Sequence, residues 1–290
     1  MKNTKLAFFD TKKAANLGKI VKASLLSSLK NERAWVFVIF SSTIFSVACF
    51  IGYSTFSNSY ELLPPQMVNI FLIPSFISTT YFAIFLSEWK DSSLIKRIRF
   101  LGIKKWSIIF SFILCAVLFA FIGEIFTIFA TYLVSLMFIR VKFYYVTDLF
   151  FWNWIWFAFV TILITTTTFL LSTCIGDLWK NKNLRFSTPL IIIIILILTS
   201  DIVIPSFISA RSPILTYAGY LSLTKYPAWI SLVTSSFTFA DYNGGIQQII
   251  YDEGMTETVI FLNNLAALII ISILTILVLF LLSIKTFKWK

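Results

Sequence analysis

Six long runs of apolar residues, each bounded by charge, constrain this chain more than any other feature of its sequence. A helix needs about 20 apolar residues to cross the hydrocarbon core of a bilayer. Six segments meet that length, and we predict spans at residues 35–56, 67–87, 106–139, 149–176, 186–207 and 261–284. Because the runs are continuous and do not alternate with polar residues, they predict helices and not the strands of a barrel.

The composition agrees with this interpretation. Hydrophobic residues make up 58% of the chain, whereas soluble domains hold about 45–50%. The predicted fold class is therefore all-α, a polytopic membrane helical bundle with six transmembrane helices.

The 24 Lys and Arg residues are divided unequally between the two sides that six spans create. Residues 1–34, 88–105, 177–185 and 285–290 hold 20 of them, and the other side holds four. Cytoplasmic segments carry the excess of basic residues in membrane proteins. We predict a multi-pass protein of the cell membrane, in a bacterial plasma membrane, with both termini cytoplasmic. Topology accounts for the net charge of +11, so we expect no nucleic-acid partner.

The segments outside the spans divide the chain further. Residues 1–34 form a cytoplasmic N-terminus, residues 35–284 the six-span domain, and residues 285–290 a cytoplasmic tail. Before the first span, apolar residues recur at helical spacing with lysines on the other faces, which predicts an amphipathic helix along the membrane surface, in contact with lipid. The residues assigned to this interface helix and its junction with the first span are Lys19, Ile20, Lys22, Leu25 and Trp35.

The external connection, residues 208–260, contains apolar stretches that are interrupted by Pro213 and Pro227. These stretches are too short to span a bilayer, and they predict a re-entrant or interfacial segment packed against the bundle before the last span.

The third predicted span has 34 residues and would reach about 51 Å, well beyond the core of a bilayer. We expect it to tilt, project or bend, with Gly123 as the favoured place for a bend. The next residue, Glu124, and Asp201 in the fifth predicted span are intramembrane acids. An ionisable group in hydrocarbon costs several kcal/mol unless it is paired, neutral or facing a cavity. Both are candidates for a transport path, and both are also compatible with purely structural contacts between helices.

Several chemistries are not supported by the sequence. It has no histidine, and its three cysteines lie singly in apolar runs, so we predict no metal site. It also lacks a GxxxxGK[ST] phosphate loop, an HExxH pair and a GxSxG elbow. We therefore expect a chain that is not an enzyme and binds no cofactor itself.

The connection between the second and third spans, residues 88–105, is more organised than a simple link. Leu94, Ile95, Ile98 and Leu101 form an apolar stripe at helical spacing, and basic residues lie beside the stripe. Gly102 is placed to end the helix. The pattern predicts a short cytoplasmic helix.

In this connection the chain resembles the ABC-2 family of exporter permeases. The family pattern is an acidic residue at the membrane exit, a short helix with a leucine, basic residues, and a glycine with basic residues before the next span. The residues that fit it are Glu88, Leu94, Lys96, Arg97, Leu101, Gly102, Lys104 and Lys105. The resemblance extends to the N-terminal helix, the six spans and the segment before the last span.

The resemblance implies a permease subunit that couples to separate ABC ATPase subunits, which bind ATP and Mg. The stripe Leu94, Ile98 and Leu101 would pack into the ATPase, while Lys96 and Arg97 pair with its acidic residues. A second permease subunit, identical or different, would complete the exporter. Lipids, hydrophobic drugs and antimicrobial peptides are the expected cargo classes. The family often has Asn-Pro near the end of the re-entrant region, where this chain has residues 234–238 without one.

Two other classes remain open. A secondary transporter or channel would use the intramembrane carboxylates and work without an ATPase. The other class is an intramembrane enzyme or a membrane assembly factor. The enzyme would depend on the same two acids, whereas the assembly factor would not.

Overall fold

A computed structural model describes residues 11–56, 64–92, 100, 102–137, 143–147, 149–236, 261–262 and 264–287. Within these residues the backbone is helical or forms turns and short links between helices, and no strand occurs. Among the described residues, six helices are long and apolar enough to cross a membrane. The predicted all-helical fold with six membrane-length helices is confirmed.

These helices, called spans 1 to 6, are Glu32–Tyr53, Pro65–Asp91, Lys105–Met137, Phe151–Gly176, Lys182–Thr199 and Leu265–Thr286. Span 1 starts with the short helix Glu32–Ala34 and a π-helical stretch, Trp35–Ser41, and continues as the α-helix Ser42–Phe56. Span 2 consists of Pro64–Ile70 and Ile73–Asp91, separated by a two-residue turn. Pro74 is the second residue of the helix that follows the turn, where a residue without a backbone N–H is tolerated.

Five further helices lie in the described parts of the chain. They are Thr11–Leu29, Tyr144–Thr147, Ser206–Arg211, Pro213–Leu221 and Lys225–Ser235.

Span 2 is the most enclosed of the six, and it packs against spans 1, 3, 4 and 5. Its second half lies in a cluster of interlocking aromatic rings from spans 2 and 3, in which Phe85 and Trp89 both contact Phe112. Spans 5 and 6 lie at the edge of the bundle and leave most of their surface exposed. Exposed apolar faces of this kind suit contact with lipid.

Span 3 runs without a break from Lys105 to Met137. Gly123 lies within this continuous helix, at the position where a bend was expected. A Cβ atom added there would lie 2.8 Å from Pro74 Cβ and 3.2 Å from the Val38 carbonyl oxygen. The glycine therefore serves the close approach of spans 1 and 2 to span 3.

Span 5 is shorter than the predicted segment 186–207, because its helix ends at Thr199. Asp201 follows in the left-handed conformation, with φ of 59°, which is uncommon for residues other than glycine. Pro205 then precedes the helix Ser206–Arg211. Asp201 lies in the turn after the span and not inside its helix.

The described part of the segment after span 5, up to residue 236, contains three helices, and the third, Lys225–Ser235, is almost completely buried. It packs against spans 4 and 6 and against the first part of span 2. The apolar stretch that sequence analysis identified around Trp229 is thus part of the core.

The helix Thr11–Leu29 packs along span 3, where Ser24 Oγ lies 3.2 Å from Cys115 Sγ. Ile20 and Ser28 are buried on the same side. Trp35 Nε1 donates a hydrogen bond to the Leu29 carbonyl oxygen, 2.9 Å away, which fixes the corner between this helix and span 1.

The close contact at Gly123 predicts opposite effects of one substitution at two helical glycines. Gly123→Ala should lower the thermal unfolding temperature in detergent, because overpacking a rigid contact costs about 1–3 kcal/mol. Gly52→Ala is the matched control, since an added Cβ there meets nothing within 4 Å and alanine is favoured over glycine in helices by about 1 kcal/mol. A Gly123→Ala protein that melts at or above the wild-type temperature would contradict the packing role.

Candidate functional site

The end of span 2 is held by a buried ion pair. Lys90 Nζ donates to both carboxylate oxygens of Asp177, at 2.8 and 2.6 Å. The two side chains are only 5% and 10% exposed, and the ammonium also lies 4.1 Å from the centre of the Phe287 ring. Asp177 directly follows span 4 and Phe287 directly follows span 6. One lysine therefore ties the end of span 2 to the ends of two other spans.

The next residue makes a second pair. Asp91 accepts a hydrogen bond of 2.7 Å from the Arg185 guanidinium, which belongs to the first turn of span 5 and is buried. At the start of span 3, Lys105 Nζ donates to the carbonyl oxygen of Phe287 at 2.6 Å. We call the six residues that form these contacts the loop clamp. They are Lys90, Asp91, Lys105, Asp177, Arg185 and Phe287.

The loop clamp encloses both ends of the connection between spans 2 and 3. A force on this connection is therefore applied to residues that are bonded to spans 4 and 5 and to the end of span 6. The Lys90–Asp177 pair is charged and largely shielded from solvent, so it resists displacement more than an exposed pair does.

Most of the predicted ATPase-coupling residues lie outside the described residues: Leu94, Lys96, Arg97, Ile98 and Leu101. Glu88 is exposed on the last turns of span 2, next to the loop clamp in sequence. Gly102 has φ of +71°, a left-handed conformation that suits the predicted helix stop. Phe100 is 91% exposed, so the connection presents a large apolar side chain to its surroundings.

The residues of the predicted interface helix are distributed over two faces. Lys19 and Lys22 are exposed, whereas Ile20 is buried and Leu25 is half-buried against the bundle. Trp35 is half-buried. Its ring packs edge-on against Phe119, with the two ring centres 6.1 Å apart.

Glu124 is buried between spans 2, 3 and 4 and is 1% exposed. Ser75 Oγ donates to Oε1 at 2.6 Å, and Thr161 Oγ1 lies 2.9 and 3.0 Å from the two carboxylate oxygens. No ion pair joins Glu124 to a cation among the residues that the structure describes. Among the described residues, its hydrogen-bond partners are the hydroxyl groups of Ser75 and Thr161.

Asp201 has the opposite environment. Its carboxylate lies 3.0 Å from Lys225 Nζ and accepts a hydrogen bond of 2.6 Å from Trp229 Nε1. Both ion-pair partners are at most 3% exposed. The backbone carbonyl of Asp201 accepts from Asn69 Nδ2 at 3.0 Å, and Tyr53 donates to the next carbonyl at 2.7 Å. The turn after span 5 is thereby bonded to spans 1 and 2 and to the buried helix Lys225–Ser235.

Glu124 and Asp201 therefore belong to separate hydrogen-bonded groups, and the structure does not bring them together. Among the residues described, no group of three potential metal ligands occurs either.

Sequence analysis did not identify the partners in these groups. Lys90 and Asp177 are 87 positions apart, and Asp91 and Arg185 are 94 apart, so no local spacing connects them. The sequence indicates only where these four charged residues lie, because each is just outside a predicted apolar run.

A scan against protein-family models finds no match for this chain, and no curated protein matches it. The resemblance to exporter permeases therefore remains a prediction.

The loop clamp predicts a strong asymmetry between single and double substitutions. Asp177→Asn leaves Lys90 buried without a carboxylate and should cost about 3–5 kcal/mol of stability, whereas the double variant Lys90→Met, Asp177→Leu should unfold near the wild-type temperature. Thermal unfolding in detergent measures both.

Glu32→Gln is the control for removing an exposed carboxylate, and should change stability by less than about 0.5 kcal/mol. If Asp177→Asn unfolds at the same temperature as Glu32→Gln, the clamp does not hold the helix ends.

Proposed function

We propose that this chain is the membrane permease subunit of an ATP-driven ABC exporter of the ABC-2 type. The observation that carries the proposal is the loop clamp, because it joins both ends of the predicted coupling connection to three other spans. Six membrane-length helices supply a path through the bilayer. Since the sequence has no phosphate-binding loop, ATP and Mg bind in a separate ATPase subunit.

The ATPase docks on the connection between spans 2 and 3. The stripe Leu94, Ile98 and Leu101 packs into a groove of the ATPase, and Lys96 and Arg97 pair with acidic residues beside it. This docking places the clamp end of the bundle, and both termini, in the cytoplasm. The exposed Lys19 and Lys22 then face the anionic headgroups of the cytoplasmic leaflet.

Closure of the ATPases on ATP pushes the docked helix toward the membrane. The clamp transmits that displacement from span 2 to spans 4 and 5 through Lys90 and Asp91, while Lys105 transmits it to the end of span 6. The helices thus move as one body, which a permease needs in order to alternate between two arrangements.

Two permease subunits, identical or different, enclose the cargo path between them. The buried helix Lys225–Ser235 closes the far end of each subunit as the core of a re-entrant segment. Lipids, hydrophobic drugs and antimicrobial peptides are the cargo classes that suit so apolar a bundle.

The test is copurification. We would co-express the chain with ATPase subunits encoded beside its gene, purify through a tag on this chain, and measure bound ATPase and ATP hydrolysis. The double variant Leu94→Asp, Leu101→Asp should lose the ATPase, because two charges enter its apolar contact.

Leu178→Asp, Trp179→Asp is the matched control, since both are exposed apolar residues in the other connection at the clamp end, between spans 4 and 5. This variant should keep the ATPase. A stable wild-type chain that copurifies with no ATPase, or equal loss in both variants, would contradict coupling through residues 88–105.

A secondary transporter or channel is the second candidate, and the burial of Glu124 without a cationic partner among the described residues favours it. The two candidates differ in proteoliposomes that contain this chain alone. An exporter subunit should move no cargo there, and Glu124→Gln should leave ATP-dependent transport by the full complex within about tenfold, because the amide still accepts hydrogen bonds. Ion-driven transport by the chain alone, abolished in Glu124→Gln, would establish the second candidate instead.

A further inference from the structure

A cavity of about 510 Å³ opens on the side of the bundle between spans 1, 2 and 5. Its walls are mainly apolar and include Phe37 and Phe45 of span 1, Ile77 and Ile84 of span 2, and Ile194 and Leu198 of span 5. A volume of this size is within the range of sites that hold small organic molecules.

The cavity has one polar end. Asn31 and Arg33 line it from the start of span 1, and Tyr81 and Glu88 line it from the second half of span 2. Arg33 and Glu88 are both exposed, and no ion pair joins either of them to another described residue. The Tyr81 hydroxyl is buried and has no hydrogen-bond partner within the described part of the chain.

The lining residues of span 1 cover about the depth of one leaflet. From Arg33 to Phe45 an α-helix would rise about 18 Å, and the π-helical stretch Trp35–Ser41 shortens this distance; half of the hydrocarbon core of a bilayer is about 15 Å. Arg33 lies where span 1 begins, and Glu88 lies near the end of span 2. A lipid whose acyl chains fill the apolar part of the cavity would have its headgroup at these two residues.

We propose that this cavity binds one phospholipid with a primary amine in its headgroup. The acyl chain lies between spans 1, 2 and 5, the phosphate accepts hydrogen bonds from the Arg33 guanidinium, and the ammonium group pairs with Glu88. Arginine suits phosphate because its planar donors match two oxygens at once. The buried Tyr81 hydroxyl gains a phosphate or ester oxygen as its acceptor.

The presence of both charges decides the headgroup. A lipid with a phosphate and no amine would pair with Arg33 but would bring a negative charge toward Glu88. A zwitterionic headgroup satisfies both residues, so the selectivity resides in Glu88 and the overall affinity in Arg33 and the apolar walls.

The site is tested on the purified full-length chain without any ATPase, so its result is independent of the proposed function. The chain is stripped of lipid in detergent and offered phosphatidylethanolamine and phosphatidylglycerol in equal amounts, and the bound lipid is measured by native mass spectrometry. The wild type should retain phosphatidylethanolamine preferentially, and Glu88→Gln should reduce that preference several-fold. Arg33→Gln should lower retention of both lipids.

Two tryptophan variants on span 5 separate the cavity from the general lipid-facing surface. Ile194 and Ile191 are nearly equally exposed, at 57% and 56%, but only Ile194 lines the cavity. Ile194→Trp should therefore fill the cavity and reduce retention of both lipids, and Ile191→Trp should not.

Equal retention of the two lipids by the wild type, or unchanged retention in Ile194→Trp, would overturn the proposal and leave only general contact with lipid. A change of oligomeric state in Ile194→Trp without a change in bound lipid would also overturn it, because the cavity would then be a contact between subunits. Thermal unfolding of each variant verifies that it is folded.

Discussion

Pairing of the charges that the bundle encloses determines how its helices meet. Lys90 is joined to Asp177, Arg185 to Asp91 and Lys225 to Asp201, and each pair links segments that are far apart in the chain. Apolar side chains alone select helix neighbours weakly in a membrane, because lipid is as apolar as leucine. A charge that is withdrawn from water without its partner costs several kcal/mol. Alternative registers of spans 2, 4 and 5 would leave at least one of these charges unpaired, so the pairs favour one arrangement.

Small and hydroxyl-bearing residues hold the helices together inside the bundle. Ser78 Oγ bonds across to the Ala116 carbonyl at 2.7 Å, and Thr168 bonds back to its own helix. Hydroxyls that are satisfied within helices allow close approach without a new polar demand. Gly123 permits a close approach of two helices, with Pro74 against it. The centre of the bundle is thus fixed by close contact, whereas its clamp end is fixed by charge.

The helices were predictable and their connections were not, for a physical reason. Hydropathy is a local property, so the six spans follow from runs of about 20 residues. The end of span 5 depends on Asp201, whose left-handed backbone is held by Lys225, Trp229 and Asn69, and no local rule contains those partners. In the same way, Glu124 was predicted to lie within the membrane, but its hydrogen bonds with Ser75 and Thr161 were not predicted. The fold class thus came from sequence, and the site from tertiary contact.

The two buried acids, Glu124 and Asp201, have contrasting surroundings. Asp201 has a cation at 3.0 Å and an indole donor at 2.6 Å, so its carboxylate joins Lys225 and Trp229 in a structural contact. Glu124 has hydroxyl partners, and a hydroxyl can accept as readily as it donates. Its hydrogen bonds can therefore be kept in either protonation state. If any buried acid of this bundle changes its charge while the helices move, the surrounding groups select Glu124.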